Sequence, residues 1–404
     1  MIGVAGFVSD RLKEARESRG LTAVALADMI GMSAITLSNY ENGRSSPRAE
    51  TLEKIASTLG FPRLHFTRKH RIPPHEAEAV FWRSFSYATK SARTKCRHRL
   101  HWLQEIVAYI AEHLDFPTLN LPALVLPTDI LDLTLEDVEE MAYETRRSWR
   151  LGSGPIEDTL LLMENNGVVM SRFEFEANGL DAFSNWGSDD LPYVILSGDN
   201  RTYVRTQYNA AHELAHLILH RSLTDRSLKL PERHKVIEDQ AFRFASALLL
   251  PASSFTAELW APTLDAFVSL KRRWRVSIGV MIKRCRELEL TTDLETKNLW
   301  IAYTRRGYRR QEVLDREIGP PAELRLLRRS IELLVEERIK SPDQISAEIA
   351  LPEKEIEQLC GLRPGYFSAP TAPPVINLPR PKQQGQASAP RLSSSSLIEF
   401  SKRK

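Results

Sequence analysis

The residues of this chain best suited to chemistry are His212-Glu213-Leu214-Ala215-His216. Two histidines four positions apart on a helix lie one turn apart on one face. Both imidazoles can then share one tetrahedral zinc ion, with the glutamate beside the water that a general base would deprotonate. Such a pattern also arises by chance, with its histidines merely hydrogen-bonded. Its surroundings argue for a metal. Ala210 and Ala211 before it and Leu217, Ile218 and Leu219 after it make the helix largely apolar, and two buried imidazoles with a buried carboxylate need a compensating charge.

Three protein ligands with an open fourth position define a catalytic zinc site, so one more ligand is required. His220 lies two turns from His212 on the same helix, roughly 12 Å away, too far for one ion to hold all three histidines; it is expected beside the ligands or in the core. The metzincin arrangement is excluded, because no glycine or further histidine follows His216 at the necessary spacing. Glu238 is the better candidate. In Ile237-Glu238-Asp239-Gln240-Ala241-Phe242-Arg243-Phe244-Ala245 the two alanines share its helical face, letting that helix come close enough for the carboxylate to reach the metal.

The elements that would position these groups follow from the pattern. Gln207 onward reads as helix, while Val168 to Phe175 and Tyr193 to Leu196 alternate and are rich in β-branched and aromatic residues, the best strand candidates. Asn178-Gly179 and Ser197-Gly198-Asp199-Asn200 read as turns, and a helix is expected to end near Asn165-Asn166-Gly167. The strand at Tyr193 to Leu196 is expected to offer an edge to which an extended peptide could add. Upstream, helical patterns run from Pro73 to about Trp149 with a turn-rich interruption from Phe116 to Thr128. Downstream, Pro320-Pro321 is expected to open a helix of about 18 residues, and Ser341-Pro342-Asp343-Gln344 reads as a capping box. Beyond Arg363 the chain is rich in Pro, Ser, Gln and Ala and is expected to be disordered.

The N-terminal stretch is different in kind. Thr22 is placed to cap a helix with an apolar face of Ala25, Leu26 and Ile30; Gly31 ends it; Ser33 caps a second helix to about Tyr40. Two short helices across a tight glycine turn can set the second one in a major groove. Residues 1 to 62 carry seven basic and seven acidic side chains, whereas 66 to 100 carry nine basic residues against Glu76 and Glu78, a segment able to follow a phosphate backbone or simply to be a solvated helix face.

This stretch resembles the Cro/cI-type (xenobiotic-response-element family) DNA-binding domain through Arg11-Leu12-Lys13, Arg19-Gly20-Leu21-Thr22, Leu26-Ala27, Gly31-Met32-Ser33, Tyr40-Glu41-Asn42-Gly43 and Pro47 to Leu52. The resemblance implies that Ala34, Ile35, Ser38 and Asn39 face the groove behind the capping Ser33, with Thr22 and Arg44 near phosphates. The chain departs from the pattern at Ala23, Ala34 and Ile35. Alanine and isoleucine can touch thymine methyls but make no bidentate base contacts.

From about Ala142 to Arg286 the chain resembles the ImmA/IrrE-like metallopeptidase family. The matching residues are Arg150-Leu151, Pro155-Ile156, Leu161-Leu162, Gly167-Val168-Val169, Phe183-Ser184, Tyr193 to Leu196, Ala211 to His220, and Glu238-x-x-Ala241 through Leu248-Leu249-Leu250-Pro251. This implies a zinc ion on His212, His216 and Glu238, Glu213 as general base, and a repressor as protein substrate. Tyr208 and Ala210 replace residues common in other members, so helpers of the transition state are unassigned.

The expected architecture is multi-domain. It comprises an all-α helix-turn-helix domain (8–62), a basic helical connector (63–141), a mainly α, α+β zincin-like metallopeptidase domain with a small sheet (142–290), a helical region (291–363) and a disordered tail (364–404). The expected partners are double-stranded DNA and a protein substrate, with a homodimer compatible and no membrane involved. At 42% hydrophobic and 26% charged residues, with no bilayer-length apolar run, a membrane protein is unexpected. Met1 to Val8 lacks the basic start of a signal peptide, and Cys96, Cys285 and Cys360 are too few and scattered for a disulfide framework; a cytoplasmic location is expected. Two functions remain: a regulator that cleaves or inactivates a partner repressor, or a helix-turn-helix transcription factor whose peptidase-like domain is a non-catalytic, zinc-dependent sensor.

Overall fold

Local capping rules set the helix boundaries in this computed structural model, which describes residues 3–73, 81–82, 89–175, 181–198, 202–221, 223 and 231–368. The first four helices are α1 (Ser9–Ser18), α2 (Ala23–Ile30), α3 (Ala34–Glu41) and α4 (Ala49–Leu59). Thr22 Oγ1 accepts from Ala25 N and Ser33 Oγ from Thr36 N, both at 3.1 Å. Gly31 adopts φ 69°, the left-handed turn that glycine takes without a Cβ penalty. Leu12, Ala15, Leu26, Ala27, Leu37, Leu52 and Ile55 close the core between these helices. Arg16 clamps α1 to α3 through two bonds to the Glu41 carboxylate, at 2.5 and 3.0 Å.

This small core is not closed on itself. Helix α5 (Lys90–Ala111) packs along α1, and its Trp102, Leu103, Ile106 and Ile110 extend the same apolar cluster. The cluster continues to one face of a four-stranded sheet of β1 (Phe81–Trp82), β2 (Val169–Phe173), β3 (Ala182–Trp186) and β4 (Pro192–Ser197), in the order β1-β3-β4-β2. β4 runs antiparallel to β3, from Ala182 opposite Leu196 to Trp186 opposite Pro192, and parallel to β2, from Val169 opposite Tyr193 to Phe173 opposite Ser197. Alternation sorts the side chains. Val169, Phe173, Phe183, Tyr193 and Ile195 join the core shared with α5, whereas Met170, Ala182, Val194 and Leu196 join a second core on the opposite face.

That second core contains α6 (Leu135–Ser148), α7 (Thr159–Asn165), α8 (Tyr203–Leu219) and α9 (Pro231–Leu249). Five shorter helices follow: α10 (Ala252–Glu258), α11 (Leu264–Trp274), α12 (Ile278–Glu287), α13 (Asp293–Arg305) and α14 (Asp315–Ile318). Gly167 (φ 84°) ends the α7 turn where a Cβ would meet Leu119 Cα at 2.7 Å, so a side chain there is excluded twice over.

The chain then returns to the first core through α15 (Leu326–Glu336) and α17 (Glu353–Cys360), which cover β2, and α16 (Pro342–Ile349), which packs on α5; Ser171 Oγ donates to Leu359 O at 2.7 Å. The Ser341 capping box forms as the sequence predicts. The helix expected from Pro320 starts only at Leu326, because the Glu164 carboxylate accepts from the backbone N–H groups of Arg325 and Leu326 at 3.0–3.1 Å and fixes the first turn there.

The expected edge at Tyr193 to Leu196 is also overturned. β4 is paired on both sides, by β3 and β2, and is buried along its whole length. The turn at Asn178-Gly179, the end of the turn at Asp199-Asn200, and the expected tail from residue 369 onward lie outside the described residues; the first residues of that tail, 364 to 368, are instead described, with Phe367 buried in the first core. Among the described residues no helix is long and apolar enough to cross a membrane.

Candidate metal centre and nucleic-acid face

Helix α8 owes its position to its composition. All of its seventeen residues except Arg205 are buried, and it lies across β3 and β4 with α9 beside it. The fully buried Ala241 and Ala245 on α9 allow the close approach anticipated from their spacing. As a result His212 Nε2 and His216 Nε2 stand 3.1 Å apart, and the two Glu238 oxygens lie 3.5 Å from the first and 3.4 Å from the second. Donor atoms 2.0–2.2 Å from a tetrahedral zinc ion are separated by about 3.4 Å, so this triangle fits that ion. Burial alone would raise the pKa of Glu238, but the two imidazoles outweigh it and hold the carboxyl well below its usual range.

The hydrogen-bond network behind the ligands assigns a tautomer. Gln240 Nε2 donates to the carbonyls of Ile130 and Leu133, at 2.9 and 3.0 Å, which turns its Oε1 toward His220 Nε2 at 3.0 Å. An amide oxygen only accepts, so His220 Nε2 carries the hydrogen and Nδ1 the lone pair. Burial pushes the pKa of His220 down to about 3, so the ring stays neutral. His216 Nδ1, 2.9 Å from that lone pair, must then be the donor. Its Nε2 is left with a lone pair pointing toward His212 and Glu238, as a metal ligand requires.

Glu213 is held from the sheet: Ser184 Oγ on β3 donates to its Oε2 at 2.7 Å, deep in the core. Sequence reasoning missed Ser184 and Gln240, which lie far along the chain or off the motif; the only signal was the Phe183-Ser184 match, which carries no role. Tyr208 stacks near Phe242, and its hydroxyl lies 3.4 Å from Phe242 O and Ser246 Oγ. The free edge of β3 is covered at Phe183 and Ser184 by β1.

The helix-turn-helix residues are arranged in the opposite manner. On α3 only Leu37 is buried; Ile35 is 76% exposed, and Ala34, Ser38 and Asn39 are half-buried. Ser38 Oγ accepts from Asn42 Nδ2 at 3.1 Å, and Asn39 O accepts from Arg44 N at 2.9 Å, ordering the loop that carries the exposed Arg44. Thr22 and Ser33 are exposed at their caps. The basic stretch 66–100 is partly occupied within the fold: Arg68 donates to Ala347 O, Arg71 pairs with Glu112 at 3.0 Å, and Arg99 pairs with Glu355 at 3.3 Å. Arg83 lies outside the described residues.

With this geometry in place, the comparisons with known proteins are specific to two segments. Residues 163–286 match a peptidase-family model described as the IrrE N-terminal-like domain, and residues 12–66 match a helix-turn-helix model. The chain is similar to the HTH-type transcriptional regulator DdrOP3 of Deinococcus deserti, at 43% identity over 51 residues, 13% of this chain and 40% of that protein. It is also similar to the HTH-type transcriptional regulator SutR of Escherichia coli, at 40% identity over 62 residues, 15% of this chain and 35% of that protein. The matched region therefore spans well under two thirds of either relative. What the two matches establish together is a chain that joins a helix-turn-helix domain to an IrrE N-terminal-like domain.

Proposed function

We propose that this protein is a DNA-binding transcriptional regulator whose IrrE-like domain is a zinc peptidase that cleaves or inactivates a partner repressor. The observation that carries this reading is the Ser184–Glu213 hydrogen bond beside the His212, His216 and Glu238 triangle. A carboxylate that is not part of the ligand set, yet is buried and aimed by a strand, is what a general base needs and a structural zinc site does not. Zinc held there would supply Lewis acidity, acidifying water and polarising a scissile carbonyl. Glu213 would take the water proton and deliver it to the leaving amine. Ser184 would keep its carboxylate oriented, and Gln240 with His220 would keep His216 in the ligating tautomer.

A second reading draws on burial: His212, Glu213 and His216 are all nearly inaccessible, which also suits a closed zinc-dependent sensor. Glu213→Gln separates the two. The amide is nearly isosteric and is not a ligand, so metal content should be unchanged while cleavage of a repressor encoded nearby falls by ~10²- to 10⁴-fold. His212→Ala should lose both the metal at this centre and activity. If Glu213→Gln regulates its target as well as the wild type and His212→Ala does not, the sensor reading replaces the peptidase.

A further inference from the structure

A second group of imidazoles and carboxylates lies where the helix-turn-helix meets α5, away from α8. Glu14 on α1, His70 in the segment after Phe66, and His101 on α5 bring one ligand atom each to within 4.8 Å of one another. His101 Nδ1 is 3.6 Å from Glu14 Oε1, and His70 Nε2 is 4.0 Å from Glu14 Oε2. These spacings are a few tenths of an ångström wider than the edge of about 3.4 Å expected around a tetrahedral zinc ion, within reach of small side-chain rotations.

The remaining ring nitrogens carry the supports typical of ligating histidines. His101 Nε2 lies 2.9 Å from Ile72 O, a pure acceptor, so Nε2 bears a hydrogen and Nδ1 is the atom turned to Glu14. His70 Nδ1 faces Glu105 Oε1 at 3.6 Å, leaving Nε2 toward Glu14. The His70 side chain is nine-tenths buried, and neither of its ring nitrogens makes a hydrogen bond. Both nitrogens of this buried ring face carboxylates at 3.6 and 4.0 Å, beyond good hydrogen-bond length, and an ion between it and Glu14 would satisfy the ring.

We propose that Glu14, His70 and His101 form a second divalent-metal site, of the zinc class, that fastens the helix-turn-helix to α5. The Arg11 guanidinium, 3.2 Å from Glu14 Oε2 and 2.7 Å from Glu105 Oε1, shares these carboxylates. Glu14 has four lone-pair positions, of which Arg11 and Trp102 Nε1 use some, leaving room for a metal. The positive neighbour makes this the weaker of the two centres and the first to empty under a chelator.

The test is zinc stoichiometry on the full chain after chelation, reloading with Zn²⁺ and removal of excess. The wild type should hold two ions, Glu238→Ala one, and the Glu238→Ala/His70→Ala double variant none. His101→Gln, whose amide nitrogen can still reach Ile72 O, should also lose one ion, and Zn²⁺ should raise the melting temperature of Glu238→Ala but not of the double variant. A wild type that holds one ion, lost in Glu238→Ala and kept in His70→Ala, overturns the proposal. A wild type with one ion lost in His70→Ala and kept in Glu238→Ala instead overturns the centre on α8 and leaves this one standing.

Discussion

Helices α3 and α8 both begin at a Ser or Thr cap and both carry the residues that the sequence singles out, yet they dispose of them oppositely. α8 turns its functional side chains inward, where the protein itself supplies their partners: Ser184 for Glu213, Gln240 and His220 for His216. α3 turns Ile35 and its neighbours outward and relies on solvent until a partner arrives. The contrast separates two kinds of vulnerability. Changes on α8 should disturb a preassembled network, whereas changes on α3 should be silent until binding is measured.

The largest effect that would sharpen this contrast is expected from His212→Ala or Glu238→Ala. Each should abolish metal binding at the α8 centre, read by metal analysis, because the remaining two donors cannot hold the ion. Retention of full stoichiometry by Glu238→Ala would put the third ligand elsewhere.

Next in size is Gln240→Leu. Without the amide, His220 loses the Gln240 acceptor that fixes its tautomer, and His216 can present a hydrogen instead of a lone pair to the metal. Zinc affinity measured by competition should fall by ~10- to 100-fold, with stoichiometry at saturating metal preserved. An unchanged affinity would mean that the network is packing alone.

Acid should act on the core around the helix-turn-helix as well as on the core around α8. Burial pushes the pKa of His65 down to about 4, and its Nδ1 bonds Ala350 O at 3.2 Å. The folded state thus holds His65 neutral while the unfolded chain protonates near its ordinary value. The stability this represents is present above about pH 6.5 and is lost as the pH falls from there toward about 4, by at most about 3 kcal/mol. Denaturant melts across that window should show the loss, and His65→Phe should flatten it.

The smallest structural effects belong to α3. Ile35→Ala should leave stability within about 0.5 kcal/mol while weakening preference for thymine-containing sites. Arg44→Ala should lower the salt dependence of DNA binding by about one ion without changing sequence preference. A large loss of stability from Ile35→Ala would break the comparison. Removing residues 1–62 is the poorer experiment, because Leu12, Leu26 and Leu37 share their core with Trp102 and Ile106, which deletion would expose.

What the sequence made legible was local. The Thr22, Ser33 and Ser341 caps, the Gly31 turn and the one-turn spacing of His212 and His216 depend on neighbours within four residues. Glu238 was also legible, because Ala241 and Ala245 declare the face of α9 that must pack closely. The remainder depends on pairings across the chain. Ser184 meets Glu213 only because β3 lies against α8, Glu164 rather than Pro320 decides where α15 begins, and the place of β4 inside the sheet is set by β2 and β3, which its own alternation does not reveal.

The pairing of residues 81–82 with Phe183 and Ser184 has a kinetic meaning. A peptide approaching the α8 centre by adding to β3 at these positions would contest an edge already held by a segment of the same chain. A tethered competitor acts at an effective concentration on the order of millimolar, so a free peptide of equal intrinsic affinity would reach half-occupancy only at that concentration. Access to the centre through this edge is thereby a question of linkage. Whatever draws residues 81–82 away raises the apparent affinity for an incoming strand by the same factor that the tether had lowered it, with no change at any ligand of the metal.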